Sequence, residues 1–145
     1  MQRVVLDTNV FVSSLLVREG PAARVLNAWR ARRYLLIASP ELLAEIASTL
    51  RYPRIRRRYR ITENHVQALL DLLEADSVMV PGTADVSGSV PDDPDDEMVL
   101  ACAVDGGADM IVSGDRHLLT LGEFKGIEIA SVRKFVERLQ EDAGP

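Results

Sequence analysis

Four short apolar runs, RVVLD at 3–7, YLLIAS at 34–39, SVMVP at 77–81 and DMIVS at 109–113, alternate along this chain with longer segments of helical periodicity. Such runs are too short for helices and rich enough in β-branched residues to read as buried strands. NVFVSSLLV after the first run makes a short helix, and Gly20-Pro21 opens a second, PAARVLNAWRARR, with Pro21 in its first turn. Ser39 caps a helix begun by Pro40, whose Leu42, Leu43, Ile46, Ala47 and Leu50 trace one apolar face. ITENHVQALLDLLEA is a further helix with Thr62 as its cap. Asp93 and Pro94 start another, which runs through Val104 and stops at Gly106-Gly107. A short helix from Asp115, a weaker strand GIEIA at 126–130 and the helix VRKFVERLQ complete the chain. Parallel strands need crossovers, and helices between strands supply them. The expected architecture is therefore a three-layer α/β/α domain spanning 1–145, with a central, mainly parallel sheet of four to five strands.

A chain of 145 residues, 47% of them hydrophobic, can bury a full core without disulfides. Its one cysteine, Cys102, lies in the apolar run MVLACAV and reads as a buried structural thiol. With two histidines and one cysteine, zinc lacks its favoured ligands. FVSSLLV and its like fall well short of a membrane span, and the N-terminus lacks the apolar region and cleavage site of a signal peptide, so the expected location is the cytoplasm, with no membrane partner.

In open parallel sheets, functional groups collect beyond the carboxyl ends of the strands. Asp7 and Asp115 follow the first and fourth strands, Glu45 flanks the apolar face of the helix from Pro40, and Asp96 lies in DDPDDEMVL near a helix start. Each has a plain structural reading. Asp7 and Asp115 suit helix-opening turns, Glu45 a solvated helix face, and the Asp93/Asp96 spacing a capping box. Together they would crowd like charges around one crevice, where some must take up protons or a cation must neutralise them. Oxygen ligands without His or Cys suit Mg²⁺ or Mn²⁺. The usual chemistry of such sites is phosphoryl transfer, with Thr8, Asn9 and Ser113 orienting a carboxylate or a water. A phosphatase with an aspartate nucleophile after its first strand usually carries a second aspartate two residues on, and Asn9 stands there instead.

LDTNVFVSSLL after the first strand, SPELLAEI in the helix from Pro40, PDDPDDEMVLACAVDGGADMIVSGDRHLL and the closing strand and helix carry a close resemblance to the PIN-domain ribonucleases. The chain is most similar to their bacterial and archaeal branch of toxins related to the VapC proteins. The resemblance covers nearly the whole chain, and LDTN, DPDD and VSGDRHLL in this order are quite specific. It implies a PIN-like fold, an endoribonuclease paired with an antitoxin, and a homodimer with the helices at 21–33 and 62–75 as candidate surfaces. By the same resemblance, Asp7, Glu45, Asp96 and Asp115 take the acidic positions that bind Mg²⁺ or Mn²⁺. Thr8, Asn9 and Ser113 take the supporting polar positions. Asp93 is close enough in sequence to be an outer ligand and reads, from its spacing, as the cap that aims Asp96. An asparagine often follows the third acid in this branch, and Glu97 stands there in this chain.

The net charge of −5 hides a sharp polarity. RYPRIRRRYR at 51–60 holds six arginines and no acid, whereas residues 85–97 hold six acids and no base. Pro53 breaks the preceding helix, and the arginines read as a solvated connection paired with surplus acids, as an interface with a protein, or as a phosphate track. On the last reading Arg54, Arg56, Arg57, Arg58 and Arg60, with Arg116 beside Asp115, contact RNA while Tyr52 and Tyr59 stack on unpaired bases. A module that binds RNA or protein without cutting, and a solitary RNA-processing nuclease, are the alternatives to a toxin.

Overall fold

A computed structural model of the chain describes residues 1–90 and 96–143. Strand β1 (Arg3–Leu6) is followed at once by α1 (Thr8–Leu16), and α2 (Pro21–Arg30) leads back to β2 (Leu35–Ala38). Helices α3 (Pro40–Leu50), α4 (Pro53–Tyr59) and α5 (Glu63–Asp76) precede the two-residue β3 (Val78–Met79). After the loop come α6 (Glu97–Asp105), β4 (Met110–Val112), α7 (Arg116–Leu121), β5 (Glu123–Phe124), β6 (Ile127–Ala130) and α8 (Val132–Ala143).

The six strands run in the order β3-β2-β1-β4-β6-β5. All neighbouring pairs are parallel except β5 and β6, with Val4 beside Leu36 on one flank of β1 and Val5 beside Ile111 on the other. Successive strand residues face opposite layers. Val4 and Leu6 accordingly join a core with Phe11, Val25, Trp29, Ile46, Leu73 and Phe135 from α1, α2, α3, α5 and α8. Val5, Ile37 and Ile111 join a second core with Leu100 and Cys102 of α6 and Leu118 of α7. Burial on both faces explains why these strands read as continuous apolar runs. It also pushes the Cys102 thiol up to about 12, which suits a structural role.

The helix signals map onto the structure with small shifts. Ser39 Oγ accepts from Leu42 N–H at the start of α3, and the five apolar residues of that helix are all buried. Thr62 caps α5 in a reciprocal capping box, its Oγ1 accepting from His65 N–H while His65 Nδ1 accepts from Thr62 N–H. Helix α2 ends at Arg30, short of the expected Arg33, because Arg32 turns to a φ of 60°. The expected helix start at Asp93 and Pro94, and the cap at Asp93, lie outside the described residues.

The expected mainly parallel sheet carries, among the described residues, one two-residue strand beyond the four to five expected, because Lys125 and Gly126, at φ values of 50° and 82°, turn Glu123–Phe124 back onto β6 in a short antiparallel hairpin. The arginine segment, read in one version as a connection, is the helix α4. Pro53 ends one helix by starting the next, its fixed φ fitting the first turn. Arginine is a good helix former, and Arg60, in the left-handed region, closes the helix after two turns.

Candidate active site

The chain winds from β1 outward to β3, then returns to the other side of β1 for β4 and β6. The reversal opens a crevice beyond the carboxyl ends of β1 and β4, where open α/β sheets bind ligands. A cavity of about 350 Å³ lies there, and Asp7, Glu45, Asp96 and Asp115 all line it, together with Thr8 and Asn9.

Each acid arrives by its own local logic. Asp7 ends β1 and caps α1, its Oδ1 accepting from Thr8 N–H at 2.8 Å. Its Oδ2 accepts from Ser113 Oγ at 2.7 Å and from Asn9 Nδ2 at 3.2 Å. Asp115 caps α7, with Oδ1 accepting from the N–H groups of His117 at 2.7 Å and Leu118 at 3.3 Å. Asp96 holds the N-cap position of α6 and is buried. Glu45 is half-buried on α3, one helical step from Leu42 and Ile46. The capping roles of Asp7 and Asp115 are thus real, and they fix the carboxylates at the cavity wall.

The polar neighbours form one connected set. Asn9 Oδ1 accepts from Gly114 N–H at 3.0 Å, and Ser113 Oγ accepts from Asp115 N–H at 2.8 Å. Burial raises the Asp7 carboxyl above its ordinary value; the bonds from Ser113, Thr8 and Asn9 oppose that rise, and the negative charge of Asp115 adds to it. A site that desolvates one carboxylate beside another favours a cation. The donors are all oxygen, the set that Mg²⁺ and Mn²⁺ favour. Among the described residues, no three or more His, Cys, Asp or Glu side chains are grouped closely enough to hold a metal ion between them.

Other residues flagged by the sequence stand elsewhere. Glu97 accepts from Gly88 N–H at 3.0 Å and lines a neighbouring cavity with Glu41 and Asp85. Arg56 and Arg57 line a separate cleft of about 400 Å³ with Arg51, Pro53 and Ile61. Arg54, Arg58 and Arg60 are exposed around α4, and Arg116 is exposed at the start of α7. None of these arginines lines the acidic cavity. Asp93 lies outside the described residues. Sequence reasoning missed Ser13 and Thr49, which also line the cavity. Their signal was periodicity: each lies four residues after another lining residue, Asn9 on α1 and Glu45 on α3, on the same helical face.

Known proteins are similar to this chain in sequence and in fold. The uncharacterized protein MJ1680 of Methanocaldococcus jannaschii is 28% identical over 148 aligned positions, covering 96% of this chain and 92% of that protein. The fold is similar to a chain in the crystal structure of VapBC2 from Rickettsia felis bound to a DNA fragment from their promoter, with a TM-score of 0.60 at 13% identity over 90% of this chain and 98% of that one. It is also similar to a chain of DNA-bound VapBC from Salmonella typhimurium, with a TM-score of 0.58 at 16% identity over 91% of this chain and 99% of that one. At such identities the two structures speak for the fold alone. The family model of the PIN domain matches residues 3–117, from β1 to the first turn of α7 and through all four acids of the cavity, and the chain belongs to the PIN domain family.

Proposed function

We propose that the protein is a Mg²⁺- or Mn²⁺-dependent endoribonuclease that hydrolyses RNA phosphodiester bonds in the cytoplasm, as the toxin of a toxin–antitoxin pair. The observation that carries this reading is the convergence of Asp7, Glu45, Asp96 and Asp115, from four separate elements, on one cavity at the sheet's reversal point. A divalent cation held there would supply a polarised water and neutralise charge on the leaving oxygen. Asp7 and Asp96, buried at the end of β1 and the start of α6, would hold it together with Asp115 and Glu45. Ser113, Asn9 and the backbone of Thr8 hold Asp7 in place. Arg54, Arg56, Arg57, Arg58, Arg60 and Arg116 contact the RNA outside the cavity.

The toxin reading draws on the VapBC complexes whose chains share this fold. An apolar groove of about 500 Å³ between α1, α2 and α5, lined by Leu15, Leu26, Leu69 and Leu72, offers a surface for an antitoxin or a second copy. It takes in the helices that the sequence marked for homodimerisation. No described helix is long and apolar enough to cross a membrane.

The test is cleavage of a broad RNA panel by purified, antitoxin-free protein. Cleavage should require Mg²⁺ or Mn²⁺ and fall at least ~100-fold in Asp96→Asn, since even outer partners of metal ligands cost 10–100-fold. An inert wild-type protein would sink the nuclease reading. A protein that needs its arginines but not Asp96 would instead be a binding module.

A further inference from the structure

We propose that the cleft of Arg51, Arg56 and Arg57 is a phosphate subsite that holds the backbone of single-stranded RNA beside the acidic cavity. The proposal rests on the nuclease reading and adds the path of the strand. Helix α3 joins the two places, because Glu45 and Thr49 line the acidic cavity and Arg51, the C-cap of the same helix, lines the cleft. At 1.5 Å of rise and 100° per residue, Arg51 stands about 9 Å beyond Glu45 along the helix axis and about 120° around it, so the cleft opens on an adjoining face of α3. A strand that leaves the cavity and bends around α3 covers that separation in a few nucleotides.

Each of the three guanidinium groups has a partner within the protein. Arg51 grips Glu63 through Nε at 3.1 and 3.2 Å and through Nη2 at 2.6 Å. Arg56 donates from Nε to the Ile61 carbonyl at 3.4 Å, and its Nη1 lies 3.9 Å from Glu63. Arg57 donates from Nε to the Pro53 carbonyl at 3.4 Å. Among the described residues, Glu63 is the one carboxylate that pairs with any of the three. The cleft therefore keeps a positive excess on side chains already oriented, and forked guanidinium groups match phosphate oxygens.

The flanking residues favour an unpaired nucleic-acid strand over an acidic peptide. Tyr52, between Arg51 and Pro53, is 56% exposed, and Tyr59 at the other end of α4 is 41% exposed with the Arg58 guanidinium 5.5 Å from its ring. Open aromatic faces beside arginines are the arrangement on which unpaired bases stack. Glu63 meanwhile occupies part of the cation that a phosphate would take. Removing its charge and removing an arginine must then act in opposite directions.

The experiment measures binding of a fluorescent single-stranded RNA to the full chain across a salt series, without divalent cation so that nothing is cut. Arg57→Ala should weaken binding roughly 3–10-fold and flatten the slope of log K against log salt by about 0.7. Glu63→Gln should tighten binding and steepen that slope. Arg133→Ala, on the exposed face of α8, is the control for loss of one positive charge anywhere. With Mg²⁺ or Mn²⁺ present, the Arg57→Ala loss should appear in KM for a long strand more than for a dinucleotide. If Arg57→Ala matches Arg133→Ala, or if Glu63→Gln weakens binding as Arg57→Ala does, the subsite is overturned and α4 serves a protein surface instead. A wild-type chain that binds through these residues but never cuts would sink the nuclease reading while leaving the subsite standing.

Discussion

Ser113 and Asp7, 106 positions apart in the chain, are joined by one hydrogen bond in which Ser113 Oγ donates to Asp7 Oδ2 at 2.7 Å. Ser113 is fully buried, and the same oxygen accepts from Asp115 N–H. One small hydroxyl thus ties the end of β1 to the turn after β4 and sets two of the four carboxylates in register. Ser113→Ala should cost about 1.5–3 kcal/mol, the range for a hydrogen bond to a charged group that leaves a buried partner short. Urea unfolding measures it. A loss under about 0.5 kcal/mol, within the range of ordinary surface substitutions, would remove this bond from any structural role.

Stability should also depend on the proton of Asp7. Burial raises its carboxyl above the ordinary 3.8, with the Asp115 charge adding to the rise and the Ser113, Thr8 and Asn9 bonds opposing it. The folded chain therefore binds the proton more tightly than the unfolded chain does. The stability this proton contributes is fully present below 3.8 and is lost as pH rises through the raised folded value. Asp7→Asn does not ionise and keeps one oxygen to accept from Thr8 N–H, but its amide nitrogen cannot accept from Ser113 Oγ and Asn9 Nδ2. Without divalent cations its stability should fall less steeply than that of wild type as pH rises above 3.8, and added Mg²⁺ or Mn²⁺ should raise the Tm of wild type alone. Parallel stability–pH curves for the two proteins above 3.8 would contradict the argument.

Asp115 separates its two roles by substitution. Its Oδ1 caps α7, and an asparagine or serine can do the same without the charge. Asp115→Asn and Asp115→Ser should therefore stay within about 0.5 kcal/mol of wild type in stability, whereas Asp115→Ala loses the cap and about 1 kcal/mol. All three should lose RNA cleavage at least ~10-fold if the charge belongs to the acidic wall. Full activity in Asp115→Ser would reduce this residue to a helix cap.

Much of this site was legible because it is built from local signals. Asp7 and Asp115 mark strand ends, Ser39 and Pro40 fix where α3 begins, and the apolar spacing of α3 fixes which way Glu45 points. Topology alone then brings them together, since a right-handed parallel sheet has one reversal point. The arginine segment was less legible because its structure depends on partners far from it in kind. Ile55, half-buried, packs against the core, and the Glu63 carboxylate that pairs with Arg51 and Arg56 comes from the next helix. The β5–β6 hairpin was hidden because its turn, Lys125-Gly126, puts a non-glycine residue at positive φ. Two-residue strands also carry too little pattern to detect.

Glu97 and Glu45 make the last contrast, between a carboxylate near the cavity and one in it. Glu97 follows Asp96 in sequence, yet the first turn of α6 carries its side chain away, to the Gly88 N–H at 3.0 Å and into the neighbouring cavity. Glu45 lines the acidic cavity itself. Glu97→Asn should therefore leave RNA cleavage within a factor of about two, the equivalent of about 0.5 kcal/mol. Its effect should appear instead as faster hydrogen exchange at the Gly88 amide, whose acceptor is withdrawn. Glu45→Gln should leave unfolding unchanged and lower cleavage at least ~10-fold, because its charge and not its packing is in use. Equal losses of cleavage in the two variants would mean that the acidic wall extends through Glu97 and that the two cavities act as one.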